Sequence, residues 1–392
     1  MSFKYKTQLV DYDYYRKQIS CQDACPVHTD ARGYINDILD GQYEQGYIRA
    51  RQPNPLGSTC GRVCNAPCES ACRRGKIDAP ISIRALKRFV CEIYGVEATT
   101  HLPVVRIGQQ ELGSALMSKP ANPNSHTVES VAVLAKYSHS RKISSRMEKV
   151  AVVGAGPAGL AAAHDMALLG YQVTIFEAAD IPGGMLFLGV PAYRLPREFV
   201  RFEMNEILDL GVELKLNTRL GKDFTISSLR QQGYEAIFLG IGSHKDRRLG
   251  IDGEDMDGIL NAIEFLLNVN KGFRADLGKK ILIVGGGAVA IDAARSAYRL
   301  EVGEIQPEEG DGVVSIEAAR EALRRGARDV HIIYRCGRDE MRAPDEEVED
   351  ALVEGIHLHT GLAPKRIIGK NGKIAGLETL LMDEDTRPVI VG

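Results

Sequence analysis

Three observations predict an α/β chain with two Rossmann-like dinucleotide-binding domains behind a small α-helical, cysteine-rich domain. Residues 149–177 read as strand, glycine turn, helix and second strand, and residues 279–300 open on the same pattern. Ahead of both, six cysteines fall between Cys21 and Cys72. The expected boundaries are 1–95 for the helical cysteine-rich domain, 96–148 for a linker, 149–275 for the first nucleotide domain and 276–392 for the second.

In the cysteine-rich stretch, Cys21 and Cys25 are followed by Pro26, and Cys60, Cys64, Cys68 and Cys72 recur every fourth residue. Ile35, Ile38 and Leu39 predict one short helix there, and Ile81, Ala85, Leu86 and Phe89 another. So small a helical domain needs more than its own core to hold it, and a metal is the natural supplement. Zinc favours two matched cysteine pairs, whereas this run suits thiolates around a [4Fe-4S] cube; inert thiols are the bland alternative. His28 is expected to hydrogen-bond locally.

Residues 96–148 lose all periodicity and read as a linker or surface wrap with a basic end. At the first cradle the apolar run Val150–Val153 is a buried parallel strand. Gly154, Gly156 and Gly159, with Pro157 and Ala158 between them, have the spacing that lets a backbone meet a pyrophosphate at a helix N-terminus. Glu177, at the end of the following strand, is placed for a ribose hydroxyl. Gly183 and Gly184, then Met185 and Leu186, offer a second place for a ligand, and Arg194 is a polar group among apolar neighbours. Residues 198–210 predict an amphipathic helix, 212–220 a strand, and 234–242 a buried strand running into small residues at Gly242.

The second cradle is carried by Gly285, Gly286 and Gly287, followed by Ala288, Val289 and Ala290, the last in the place of the third glycine. An acidic insertion near 301–314 and an extra helix over 316–325 delay the next strand, 329–335. That strand ends on Arg335 rather than an acid. Arg335, with Arg338, suits a ribose 2′-phosphate, and a solvated strand-end arginine is the plain alternative. Residues 344–355 predict an acidic helix, and His357 and His359 alternate on one face of a last strand, read as edge residues for want of a nearby third ligand.

Bulk properties exclude several functions. A net charge of −3 gives no reason to expect nucleic acid, and no run of 18 apolar residues or N-terminal apolar leader occurs, so a cytoplasmic chain is expected. All eight cysteines lie outside residues 92–335: seven fall at 21–91 and the eighth is Cys336. A flavoenzyme that reduces disulfides keeps a cysteine pair beside its flavin, and the first cradle has none to offer. Two cradles point instead to hydride exchange between a nicotinamide and a flavin, with a cysteine-held cluster passing single electrons. No catalytic acid or base is identified. A thiol-disulphide reductase using the N-terminal cysteines, and a non-catalytic assembly module, are the rival readings.

CQDACP, CGRVCNAPCESAC with APISIRALKRF, VVGAGPAGLAAA, PGGMLFLGVPAYRLP, GGGAVAIDAARSA and YRCGRDEMRAP together resemble the glutamate synthase small-subunit family and its relatives. The resemblance spans nearly the whole chain. It implies FAD at the first cradle, NAD(P)H at the second and electron exchange with an iron–sulfur or catalytic partner subunit. Three departures stand out. Two further cysteines of two-cluster relatives are missing ahead of Cys21, and Lys87 stands where they carry glutamine or glutamate. Cys336 replaces the second arginine of the family's YRR. The family's C-terminal return to the flavin domain is expected to be truncated here or completed by a partner.

Overall fold

The computed structural model describes residues 14, 18–98, 147–273, 277–302, 329–370, 372–382 and 388–389. It divides into two compact units, Met1–Gly184 with Arg197–Gly242, and Met185–Pro196 with Ser243–Gly392.

The first unit begins with short helices: α1 (Ser20–Ala24), α2 (Ala31–Leu39), α3 (Tyr43–Arg51), α4 (Gly57–Val63), α5 (Pro67–Ser70) and α6 (Ile83–Tyr94). Their shared core is small, built on Tyr34, Tyr47, Ala50, Ile83, Val90 and Cys91. Tyr34 fixes α2 on α6 by donating its hydroxyl hydrogen to the Ile83 carbonyl at 2.9 Å. Asp30 caps α2 by accepting from Gly33 N at 2.9 Å.

A parallel four-stranded sheet follows in order β3-β2-β1-β4. Its elements are β1 (Lys149–Val153), α7 (Pro157–Leu168), β2 (Gln172–Phe176), α9 (Arg197–Leu208), β3 (Glu213–Lys215), α10 (Ile226–Gln231) and β4 (Tyr234–Leu239). In β1, Val150–Val153 are buried, as an apolar run in a parallel sheet requires. The strand expected over 212–220 is only three residues long. The chain leaves the sheet at Asn217, whose φ of 54° is a turn conformation, and Leu220 bridges to Phe224 instead.

In the second unit, α8 (Met185–Leu188), α11 (Ala262–Asn270), β5 (Lys280–Val284), α12 (Ala288–Val302), β6 (Asp329–Ile333), α13 (Asp345–Val353) and β7 (His357–His359) build a parallel sheet in order β5-β6-β7. An antiparallel sheet of β8 (Leu362–Lys370), β9 (Lys373–Met382) and β10 (Pro388–Val389) completes the described chain. The units divide at Gly242/Ser243, ahead of the expected domain boundary at 275/276, because α11 packs on α12 through Phe265, Leu266 and Val269 against Ala293 and Ala297. The segment 185–196 joins it: Asn270 Nδ2 donates to the Leu188 carbonyl at 2.8 Å. The insertion near 301–314, the helix expected over 316–325 and most of the linker lie outside the described residues.

Candidate active site: two glycine cradles and a cysteine cluster

The first cradle is a strip of glycines held at backbone distance. Gly154 has a φ of +106°, and a Cβ there would meet the Gly240 carbonyl oxygen at 2.4 Å. A Cβ on Gly159 would lie 1.8 Å from the Gly154 oxygen, so α7 packs on the turn with no room for any side chain. At Gly156 a Cβ would meet nothing nearer than Gly184 Cα at 4.0 Å; this glycine faces open space at the head of α7, where Pro157 takes the first turn. Gly183 N donates to the Ala155 carbonyl at 2.8 Å and brings Gly184 alongside Gly156.

Glu177 ties this strip together. One carboxylate oxygen accepts from Ala155 N at 2.7 Å and the other from Ala179 N at 2.8 Å. A carboxylate offers about four lone-pair sites, so acceptors remain for a ribose hydroxyl. Gly242, at a φ of +67°, follows β4 at the same end of the sheet. Met185 and Leu186 open α8 in the second unit.

The second cradle repeats the design with one difference. Gly285, at a φ of +144°, donates to the Ile333 carbonyl at 3.0 Å, and Ala290 fills the third glycine position 7% exposed. A Cβ on Gly286 would strike the Tyr334 ring at 2.6 Å, and one on Gly287 would meet nothing within 4 Å. Gly287 is thus the open position, at the start of the helix where Ala288 and the half-exposed Val289 lie. Tyr334 went unremarked in the sequence because only the fold sets its ring against Gly286. Arg335 is exposed at the end of β6. Arg338 ion-pairs with Asp345 at 3.0 Å and Glu349 at 3.1 Å.

Arg194 lies in the 185–196 segment of the second unit. It is nearly buried, donating to both Asp292 oxygens at 2.6 and 2.7 Å and to Glu347, which joins the 185–196 segment to α12 and α13. Burial raises the Asp292 carboxyl above its ordinary range, with Arg194 opposing. The preceding residue, Tyr193, lies 4.0 Å beneath the Arg299 guanidinium. His357 and His359 gain a neighbour that linear spacing hid. His331 on β6 stacks on both, its Nδ1 2.8 Å from His359 Nε2, with Asp329 Oδ1 2.7 Å from its Nε2. The two His331 nitrogens face opposite partners, and among the described residues no three His, Cys, Asp or Glu side chains converge as a single metal ion requires.

All eight cysteines are free thiols, and the six of the N-terminal run are half-buried. Cys68 lies within electrostatic reach of Cys64 and Cys25, and Cys21 of Cys72. Burial pushes the Cys68 thiol up to about 12. Cys72 moves the other way, lowered first by the Ile81 N–H and then by those of Arg74 and Gly75. Ala66, at a φ of 48°, turns its N–H onto Cys64 Sγ at 3.4 Å. Backbone N–H groups aimed at sulfur favour thiolates, the donor form an iron–sulfur cube needs. Burial raises the Cys60 thiol, which lies beside Lys87 and Asn54 and within electrostatic reach of Cys64. His28 Nδ1 meets the Gln22 carbonyl at 3.1 Å, a local contact as expected.

Residues 148–391 match the pyridine nucleotide-disulphide oxidoreductase family. The chain belongs to that family. Residues 14–98 match dihydropyrimidine dehydrogenase domain II, described as a 4Fe-4S cluster domain. Among curated relatives, the NADP(+)-dependent formate dehydrogenase subunit beta of Moorella thermoacetica is 40% identical over 92% of this chain and 46% of its own length. The NADPH-Fe(3+) oxidoreductase subunit beta of Geobacter sulfurreducens is 32% identical over 92% and 45%. The NADPH glutamate synthase small chain of Escherichia coli is 26% identical over 91% and 66%. The chain spans about half the length of the first two. The family match covers the two nucleotide-binding folds, and the segment described as a 4Fe-4S cluster domain precedes them. Both cradles fit a dinucleotide, since each leaves one glycine position open where a Cβ would stand against the ligand. Among the described residues no helix is long and apolar enough to cross a membrane.

Proposed function

We propose that the chain is the NAD(P)-linked electron-transfer subunit of a larger cytoplasmic oxidoreductase complex. Its partner is an iron–sulfur or catalytic subunit that performs the substrate chemistry. The observation that carries this reading is one chain with two intact glycine cradles, a run of six cysteines between Cys21 and Cys72 and no cysteine at 92–335. Bound FAD supplies the exchange between a two-electron hydride and single electrons, and the cluster relays the latter.

The chain's own residues divide the work. Gly156, Ala158 and Gly159 present backbone N–H groups to the flavin pyrophosphate, with Gly154 and Pro157 shaping the turn, Gly183, Gly184 and Gly242 completing the strip and Glu177 holding a ribose. Gly286, Gly287, Ala288 and Val289 do the same for NAD(P)H, with Gly285 and Ala290 shaping the turn. Arg335, with no acid at the end of β6, favours a 2′-phosphate, in keeping with the NADP-linked names of the two relatives at 40% and 32% identity. Arg338 supports it once released from its exposed acidic partners. Cys21, Cys25, Cys60, Cys64, Cys68 and Cys72 are the thiolates available to the cluster, with Cys64 within electrostatic reach of both Cys60 and Cys68.

Anaerobic addition of NADPH or NADH to the purified chain tests this. Bleaching of bound flavin, faster with NADPH, is the expected result. Protein that neither holds FAD nor takes it up would refute the reading.

A further inference from the structure

The helical cysteine-rich part and the flavin-cradle sheet share one compact unit, and a single stripe on α9 joins them. Phe199, Glu203 and Glu206 follow one another at helical spacings of four and three, so they lie along one face. Glu203 is 1% exposed and points at the start of α4. One of its oxygens accepts from Ser58 N at 2.7 Å and the other from Thr59 N at 3.1 Å. The helix has no cap of its own, since Leu56 sits at the N-cap position and offers no acceptor. Glu206 accepts from the buried Arg51 at 2.7 Å, and Phe199 lies 4.9 Å below the Arg62 guanidinium near the other end of α4.

We propose that Glu203 is a positioning residue for electron transfer: a helix cap supplied from the flavin-binding half that sets where the Cys60–Cys64 helix stands relative to the flavin cradle. This rests on the functional reading above. Each hydride from NAD(P)H brings two electrons and releases NAD(P)+; they would leave the flavin one at a time for the cysteine-held cluster, which holds one electron and hands it to the partner subunit before taking the next. The second of these transfers depends on the placement of α4; the hydride step does not, because Glu203 touches neither cradle. Three residues on one stripe grip both ends of α4 and the end of α3. The same helix packs on α6, where a Cβ on Gly61 would lie 3.0 Å from Arg88 Cα, so what Glu203 fixes is its N-terminal end.

The test compares full-length wild type with Glu203→Gln and Glu203→Ala. Hydrogen exchange at Ser58 and Thr59 should accelerate by about twofold to thirtyfold in Glu203→Ala, the range that loss of a helix cap produces, with a smaller change in Glu203→Gln. In stopped flow with NADPH, flavin reduction should keep its rate in both variants. The slower appearance of reduced cluster should lengthen several-fold in the same order. Unchanged exchange, or an unchanged second phase despite lost protection, would overturn the proposal. Equal slowing of both phases would too. The exchange arm needs no cofactor, so it decides the capping role even where wild type fails to take electrons from NADPH, a failure that would count against the functional reading instead.

Discussion

Replacing Arg194 by methionine separates two roles for this arginine. The sequence places it among cofactor-binding residues, and the structure seats it between Asp292 and Glu347. Its side chain is 10% exposed and the two acids 6% and 7%, so methionine would fill the volume and take the Arg194 charge away from both carboxylates. Removing one partner of a buried pair costs about 3–5 kcal/mol, mostly the penalty of stranding the other charge. In a compact unit of this size each kcal/mol lowers the melting temperature by about 2–4 °C, so a drop on the order of 10 °C is expected. Adding Asp292→Asn and Glu347→Gln should recover much of it, because the stranded charges are gone. The assay is thermal unfolding followed by far-ultraviolet circular dichroism, with flavin content measured at the start. Arg194→Met that melts with wild type while its flavin affinity collapses would refute the ion-pair account and restore a direct cofactor role.

Three further outcomes follow from the same geometry. Gly159→Ala should fail to retain FAD, because its Cβ would lie 1.8 Å from the Gly154 oxygen; Gly287→Ala should fold and hold FAD normally but raise the KM for NAD(P)H, since its Cβ enters open space. Flavin content and steady-state kinetics distinguish the two. Cys25→Ser and Cys68→Ser should each lower bound iron with flavin content unchanged, checked by metal analysis beside the flavin spectrum. Burial lifts the Glu203 carboxyl to about 7, above its ordinary 4.5. Its contribution to stability is therefore full below the unfolded value and is lost as pH rises through about 7, worth up to about 3 kcal/mol across that window. Urea denaturation between about pH 5 and pH 8 should show this slope in wild type, and Glu203→Gln should flatten it.

Local pattern carried much of the fold. The run Val150–Val153, the three glycines after it and the helix beyond are near neighbours in sequence, and their physical reasons are local too: a buried parallel strand, a left-handed turn, a helix start. The second cradle was legible for the same reason, down to Ala290 in the third position. What spacing missed lies across long loops. Glu203 meets Ser58 and Thr59 from 145 and 144 residues away, and Arg194 meets Asp292 from 98. A buried charge announces itself in sequence only as a polar residue among apolar ones, and nothing local names its partner. His331 was hidden similarly, because strand register alone sets it opposite His357. The strand over 212–220 was overextended because alternation continues past Asn217, where the backbone turns away.

The most direct measurement takes the anaerobically purified chain, quantifies its flavin and iron, adds NADPH and follows flavin absorbance together with the electron paramagnetic resonance of the frozen sample. Flavin that bleaches first, followed by a reduced iron–sulfur signal in the same protein, is the predicted result. Flavin that bleaches with no iron signal, although iron is bound, would contradict the claim that this one chain connects a nicotinamide to its N-terminal cysteine cluster.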